Sequence, residues 1–162
     1  RPNYRKEEHR WGHGGAAILD YLIVSGGEHY PSYIEGNAET DFYIKTRFDR
    51  DFDNIIPGFL IKTLEGIFLY GTNSFVSSAG KINISAKAGE IKIFKFSLAV
   101  TLNEGYYLIS FGISSGNPSQ ELIPLDRRYD SLIIHVGRAL QFWGIIDLGA
   151  SFKVYDHELI GN

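Results

Sequence analysis

The chain has 162 residues, enough for one domain with a real core and too few for two comfortable ones. A formal charge of -3 supplies no basic field to draw nucleic acid or an anionic membrane, and the absence of cysteine excludes thiol catalysis, Cys-bound zinc and iron–sulfur clusters. Ten Tyr, eleven Phe and two Trp make 14% of the chain aromatic, which with 18 Gly suits β-structure joined by many turns. No run approaches the roughly 20 apolar residues of a spanning helix, and no signal peptide is visible. A cysteine-free chain is compatible with the cytoplasm. Starting on Arg1 without any Met, it reads as a domain excised from a longer protein.

Residues 1–10, RPNYRKEEHR, are charged and aperiodic and read as a solvated linker. Trp11-Gly12-His13-Gly14-Gly15 reads as a turn or a close backbone approach. It is no phosphate loop, because neither a Lys-Ser/Thr pair nor a helix follows. Residues 16–24, AAILDYLIV, form the first expected strand; residues 25–37 read as a loop whose Tyr30 and Tyr33 either anchor it or offer rings to a sugar. From Thr40 to Asp49 the alternation is clear, with Thr40, Phe42, Ile44, Thr46 and Phe48 on one face and Asp41, Tyr43, Lys45, Arg47 and Asp49 on the other.

Residues 55–74 hold two strand-like runs around Leu64-Glu65-Gly66, an apolar hairpin that needs an opposing layer and closes on Tyr70-Gly71-Thr72-Asn73. Residues 75–89 read as a long loop. Residues 90–100 alternate with Phe94, Phe96 and Leu98 inward. Residues 106–114 follow with Tyr107, Ile109, Phe111 and Ile113 inward, leaving Tyr106, Leu108, Ser110 and Gly112 on the opposite face. A short strand is expected over 120–125, a charged break at Asp126-Arg127-Arg128, and a last core strand over 129–136. With no amphipathic helix among them, six or more strands predict an antiparallel β-sandwich. Beyond it, residues 142–148 are strongly apolar and 150–155 alternate like one more strand, free to pair with its own sheet or with a neighbour's edge.

Catalytic patterns are lacking: Asp49, Asp51 and Asp53 miss the Gly and Glu of a calcium loop, the five His occur singly, and no Ser sits in a nucleophile elbow. No enzyme and no cofactor are expected.

Arg10-Trp11-Gly12-His13-Gly14, the paired runs through Phe59-Leu60-Ile61-Lys62 to Leu69-Tyr70-Gly71-Thr72-Asn73, the strand Gly105–Ile113, and Gly144-Ile145-Ile146-Asp147-Leu148 stand in one order over residues 10–155. Together they resemble the C-terminal domain of Wzt proteins, the ATP-binding subunits of ABC transporters that export O-antigen polysaccharide. The family's Gly-Glu-Ala run after the opening is missing its acid here, at Gly14-Gly15-Ala16.

The resemblance implies an immunoglobulin-like sandwich over 11–162. It sits behind a nucleotide-binding domain that this sequence lacks, with 1–10 as the link. It implies recognition of the modified non-reducing end of the polysaccharide and a homodimer that exchanges C-terminal strands over about 144–155. It further implies partnership with the transporter's membrane subunit and a cytoplasmic place, peripheral at the inner membrane. Exchange would engage Trp143, Ile145, Ile146, Leu148 and Phe152. A sugar site needs flat rings and fixed polar groups on a rigid face. Tyr106, Leu108 and Ser110, with Ile133 and His135 and with Leu60 and Lys62, meet that description, Tyr106 stacking and Lys62 and His135 donating. Tyr43 and Arg47, with Lys45 and Lys95, offer a basic alternative on the other sheet. The rival reading is a dimerisation or adhesion sandwich without a glycan.

Overall fold

A computed structural model describes Arg5 and residues 9–156 as an immunoglobulin-like β-sandwich. The strands in chain order are β1 (His9–Trp11), β2 (Ala16–Ser25), β3 (Glu28–His29), β4 (Ile34–Glu35), β5 (Glu39–Phe48), β6 (Phe52–Thr63), β7 (Phe68–Asn73), β8 (Ile84–Ala86), β9 (Ile91–Ala99), β10 (Gly105–Gly116) and β11 (Leu122–Gly137). One sheet runs β1-β11-β10-β6-β7, with β4 added to β11 and β8 to β6; the other runs β3-β2-β5-β9. All pairings are antiparallel except the two-residue β4 with β11.

The expected inner rows are the buried ones. Phe42, Ile44, Thr46 and Phe48 on β5 and Ile109, Phe111 and Ile113 on β10 are essentially inaccessible. Aromatic rings stitch the sheets together. Phe42 meets Phe59 edge-on at 5.2 Å, Phe59 meets Phe96 at 5.0 Å, and Tyr21 stacks on Phe111 at 4.7 Å. Each such pair is worth about 0.5–1.5 kcal/mol beyond the area it buries. Thr46 Oγ1 is the one buried side-chain polar atom without a hydrogen-bond partner among the described residues.

Two expectations need correcting. The charged break at Asp126-Arg127-Arg128 does not exist, because β11 runs unbroken from Leu122 to Gly137 along β10. Its charges are absorbed rather than solvated: Asp126 turns inward to Arg10, and Arg128 Nη1 donates to the Ile18 carbonyl at 3.0 Å. The long loop over 75–89 is partly ordered, with a one-turn helix α1 (Ser74–Ser77) and β8. Of the two pairings the tail's alternation allows, the one with its own sheets is not made: beyond a single bridge between Leu102 and Ile146, residues 147–155 pair with neither sheet. Of the segment read as linker, His9 and Arg10 lie in β1, while residues 1–4 and 6–8 fall outside the described residues.

The opening motif is a clamp. Arg10 donates to Asp126 through Nε at 2.9 Å and Nη2 at 2.7 Å, and the same carboxylate accepts the Ile18 amide at 2.7 Å. The hydrogen bond to Asp126 holds the Arg10 guanidinium above its usual value against the opposing effect of burial. Gly12, at φ 154°, passes so close to β11 that a Cβ would sit 2.2 Å from the Leu125 carbonyl oxygen.

Candidate functional site

The outer face of the larger sheet is built from the alternate residues of three long strands. Registers place Tyr106 opposite His135, Leu108 opposite both Ile133 and Lys62, and Ser110 opposite Leu60. Five of the seven expected sugar-binding residues, Tyr106, His135, Lys62, Leu60 and Ser110, therefore share one face.

Tyr106 and His135 lie in parallel, centroids 4.4 Å apart and planes within 10°, and the Tyr33 ring meets His135 edge-on at 5.9 Å. Tyr106 is 52% exposed, so one ring face remains open. Next along the face, a β-bulge puts Asp130 at φ 53°. Such bulges re-aim side chains; here the Asp130 amide donates to Ser110 Oγ at 2.8 Å, and the carboxylate pairs with Lys62 at 2.8 Å. Lys62 is thus a positioned cation rather than a free one.

Beyond the bulge lies a groove of about 210 Å³. Gly58 and Gly112, Cα partners across β6 and β10, give it a floor without side chains. Ile56, Leu60 and Leu122 wall it, and Arg127 and Tyr129 close one side. Leu60 reaches its place by lying across Gly71, where a Cβ would be only 2.3 Å from Leu60 Cδ2. That accounts for the glycine of the Tyr70-Gly71-Thr72-Asn73 landmark, while Asn73 Oδ1 caps α1 by accepting the Val76 amide at 2.8 Å.

Two aromatic residues of β1 buttress the groove: the Arg127 guanidinium lies 5.4 Å over the Trp11 ring, and His9 stacks on Tyr129 at 6.2 Å. Arg127 Nη1 donates to the Tyr129 hydroxyl at 3.3 Å. Burial pushes that hydroxyl up, but hydrogen bonds with Arg127 and Trp11 and the charges of Arg127 and Lys62 outweigh it. The net pKa falls below the usual 10.0.

Tyr43 and Arg47 lie apart from this face, on the outer side of the other sheet. There Arg47 Nε is held by Asp49 at 2.8 Å, and Lys95 sits 5.9 Å over the Tyr43 ring. Among the described residues no group of three or more His, Asp or Glu side chains gathers as a metal site. Arg127 and Trp11 escape sequence reasoning because a charged triplet and a Gly-rich turn look like loop chemistry. Tyr129 and Asp130 fall in the expected strand over 129–136, but its alternation does not show the bulge that re-aims them.

The tail starts from a defined anchor. Asp147 pairs with Arg138 at 3.4 Å and accepts from Asn37 at 3.2 Å and from the Gly149 amide at 2.8 Å. Beyond the anchor the apolar side chains have nothing to cover them: Leu148 is 92% and Phe152 88% exposed, and Trp143, just before it, is wholly so. Ile145 and Ile146 are partly covered, Ile146 lining an apolar slot of about 240 Å³ with Ile61, Leu69, Leu98 and Val100.

A family profile described as the Wzt C-terminal domain matches residues 7–148. A crystal structure of the C-terminal domain of wzt is 58% identical with a TM-score of 0.94, over 96% of this chain and 93% of that one. The CARDB domain of a Pyrococcus furiosus protein gives 15% identity and a TM-score of 0.40, over 76% of this chain and 97% of its own. A β-glucosidase from Erythrobacter marinus gives 12% and 0.40, over 75% and 15%. Neither of these two carries any argument about function. No curated protein matches the chain.

Proposed function

The chain belongs to the Wzt C-terminal domain family, and on that footing we propose that it is a non-catalytic domain that binds an O-antigen polysaccharide for export by an ABC transporter. The observation that carries the reading is the outer face of the larger sheet. On it an open Tyr106 ring, a fixed Lys62–Asp130–Ser110 cluster and an apolar groove follow one another along neighbouring strands. Solvated sheet faces are normally polar, and an apolar trough rimmed by oriented donors is what a sugar's CH faces and hydroxyls require. In this reading the groove receives the modified non-reducing end, so that finished chains are selected.

The same reading includes a homodimer. A tail exposing Trp143, Leu148 and Phe152 would bury them against a second copy, whose slot beside Ile61, Leu69 and Leu98 is apolar and open. A preceding nucleotide-binding domain and a membrane subunit would place the assembly on the cytoplasmic side of the inner membrane. No helix among the described residues is long and apolar enough to cross a membrane.

The test is titration of the protein with the O-polysaccharide of its producing strain and with foreign glycans, alongside its mass in solution. Selective binding supports the reading. A stable dimer that binds no glycan would replace it with a purely structural one.

A further inference from the structure

Strict alternation on β2 would put Asp20 in the inner row with Ala16 and Ile18. A β-bulge between Ile18 and Asp20 shifts the register, so that Tyr21 and Ile23 take the buried row and Asp20 and Leu22 face outward on the smaller sheet. Asp20 then stands opposite Lys45, and Leu22 opposite Tyr43, while Ile93 flanks Lys45 from β9. Tyr30 borders the same face from beyond β2. Its backbone lies in the left-handed region at φ 50°, its amide donates to the Ile23 carbonyl at 2.8 Å, and its hydroxyl donates to the Tyr21 carbonyl at 3.0 Å. These bonds close the edge of β2 and pin the ring. Tyr30 and Tyr43, with Leu22, Ile93, Asp20 and Lys45, line a hollow of about 330 Å³.

We propose that this hollow is a second saccharide site, on the sheet opposite the groove, taking an uncharged sugar unit of the polysaccharide. The proposal rests on the carbohydrate-binding reading and adds to it a separate site and the charge class of the unit received there. Edge closure explains the hydrogen bonds of Tyr30. It does not explain Tyr43, Leu22 and the 64% exposed Ile93, apolar side chains grouped on a face that contact with water alone would keep polar. Two tyrosine rings and an apolar floor suit the CH face of a sugar ring. Asp20 offers an acceptor, its carboxylate fixed where Oδ1 takes the Tyr21 amide at 2.9 Å, and the exposed Lys45 offers donors. Their charges cancel, so the lining favours neither an anion nor a cation. Lys95, 5.9 Å over the Tyr43 ring, and Arg47, held by Asp49, stand outside it.

The test is an NMR titration of the isotope-labelled protein with the producing strain's O-polysaccharide, at about 0.05 M and about 0.5 M salt. A group of shifts at Leu22, Tyr43 and Lys45 should appear besides the group at Tyr106, Ser110 and Gly112. Its affinity should change by less than about twofold between the two salt concentrations, because no net charge is paired. Tyr43→Ala should weaken the second group roughly twofold to tenfold and leave the first unchanged. Lys45→Ala, at an exposed position that the fold does not need, should weaken it roughly threefold or more. Shifts confined to the larger sheet overturn this proposal and leave the parent reading standing. No shifts at all from a folded protein overturn the parent reading and this one with it. A second group that fades as salt rises overturns the uncharged unit. A second group that neither substitution weakens places the contact outside the hollow and overturns the site.

Discussion

Replacing Asp126 by Ala tests whether the opening motif is a structural clamp. The carboxylate is 4% exposed and accepts three hydrogen bonds, two from Arg10 and one from the Ile18 amide. Its loss leaves the buried Ile18 N–H without a partner, which costs about 1–3 kcal/mol. The Arg10 side chain is 47% exposed, so the lost ion pair adds no more than about 1 kcal/mol. The sum is roughly 1–4 kcal/mol, and in a domain of this length each kcal/mol moves Tm by about 2–4 °C. Thermal unfolding followed by circular dichroism should therefore show a drop of roughly 2–15 °C. Asp126→Asn, which keeps an acceptor for Ile18, should recover about half of it. A drop under about 2 °C for Asp126→Ala would refute the clamp, because an unpaired buried amide cannot be that cheap.

Thr46→Val should leave the fold unchanged and raise stability by about 1 kcal/mol, because it removes a buried hydroxyl that bonds to nothing; urea unfolding would expose the error if stability fell. Gly12→Ala should unfold the domain or cost more than any surface substitution, since its Cβ would strike the Leu125 carbonyl; the yield of folded protein measures it. The tail anchor should be acid-sensitive. The Gly149 amide, then Asn37 and Arg138, hold the Asp147 carboxyl below its usual 3.8. A depressed folded value means that the anchor's contribution is whole above 3.8 and is lost as pH falls through that lower value. The Gly149 amide resonance should follow that course, and Asp147→Asn should make it independent of pH.

Most of the scaffold is legible in the residues, because period-two alternation on β5, β9 and β10 states which side chains meet the other sheet, and all of those inner rows are in place. The charged triplet misleads because charge reads as exposure. Asp126 and Arg128 point into the molecule with partners from β1 and β2, about a hundred residues away in the chain, which no local pattern can announce. The face carrying Tyr106, Ser110, Leu60 and Lys62 follows from strand parity alone, and His135 joins it through β11. The groove beside it does not, since its floor is two glycines and its cation sits next to a bulge at Asp130 that shifts the register. The tail is a different case: its alternation is strand-like, yet beyond the bridge at Ile146 it joins neither sheet of its own chain.

The most direct test of glycan binding on the larger sheet is an NMR titration with the producing strain's O-polysaccharide, on the unaltered protein and on Tyr106→Ala. Shifts should run along Tyr106, Ser110 and Gly112. Losing the stacking ring should weaken binding roughly twofold to tenfold while the fold stays intact. No shifts from a folded protein, or shifts confined to the sheet of Tyr43 and Arg47, would contradict the account.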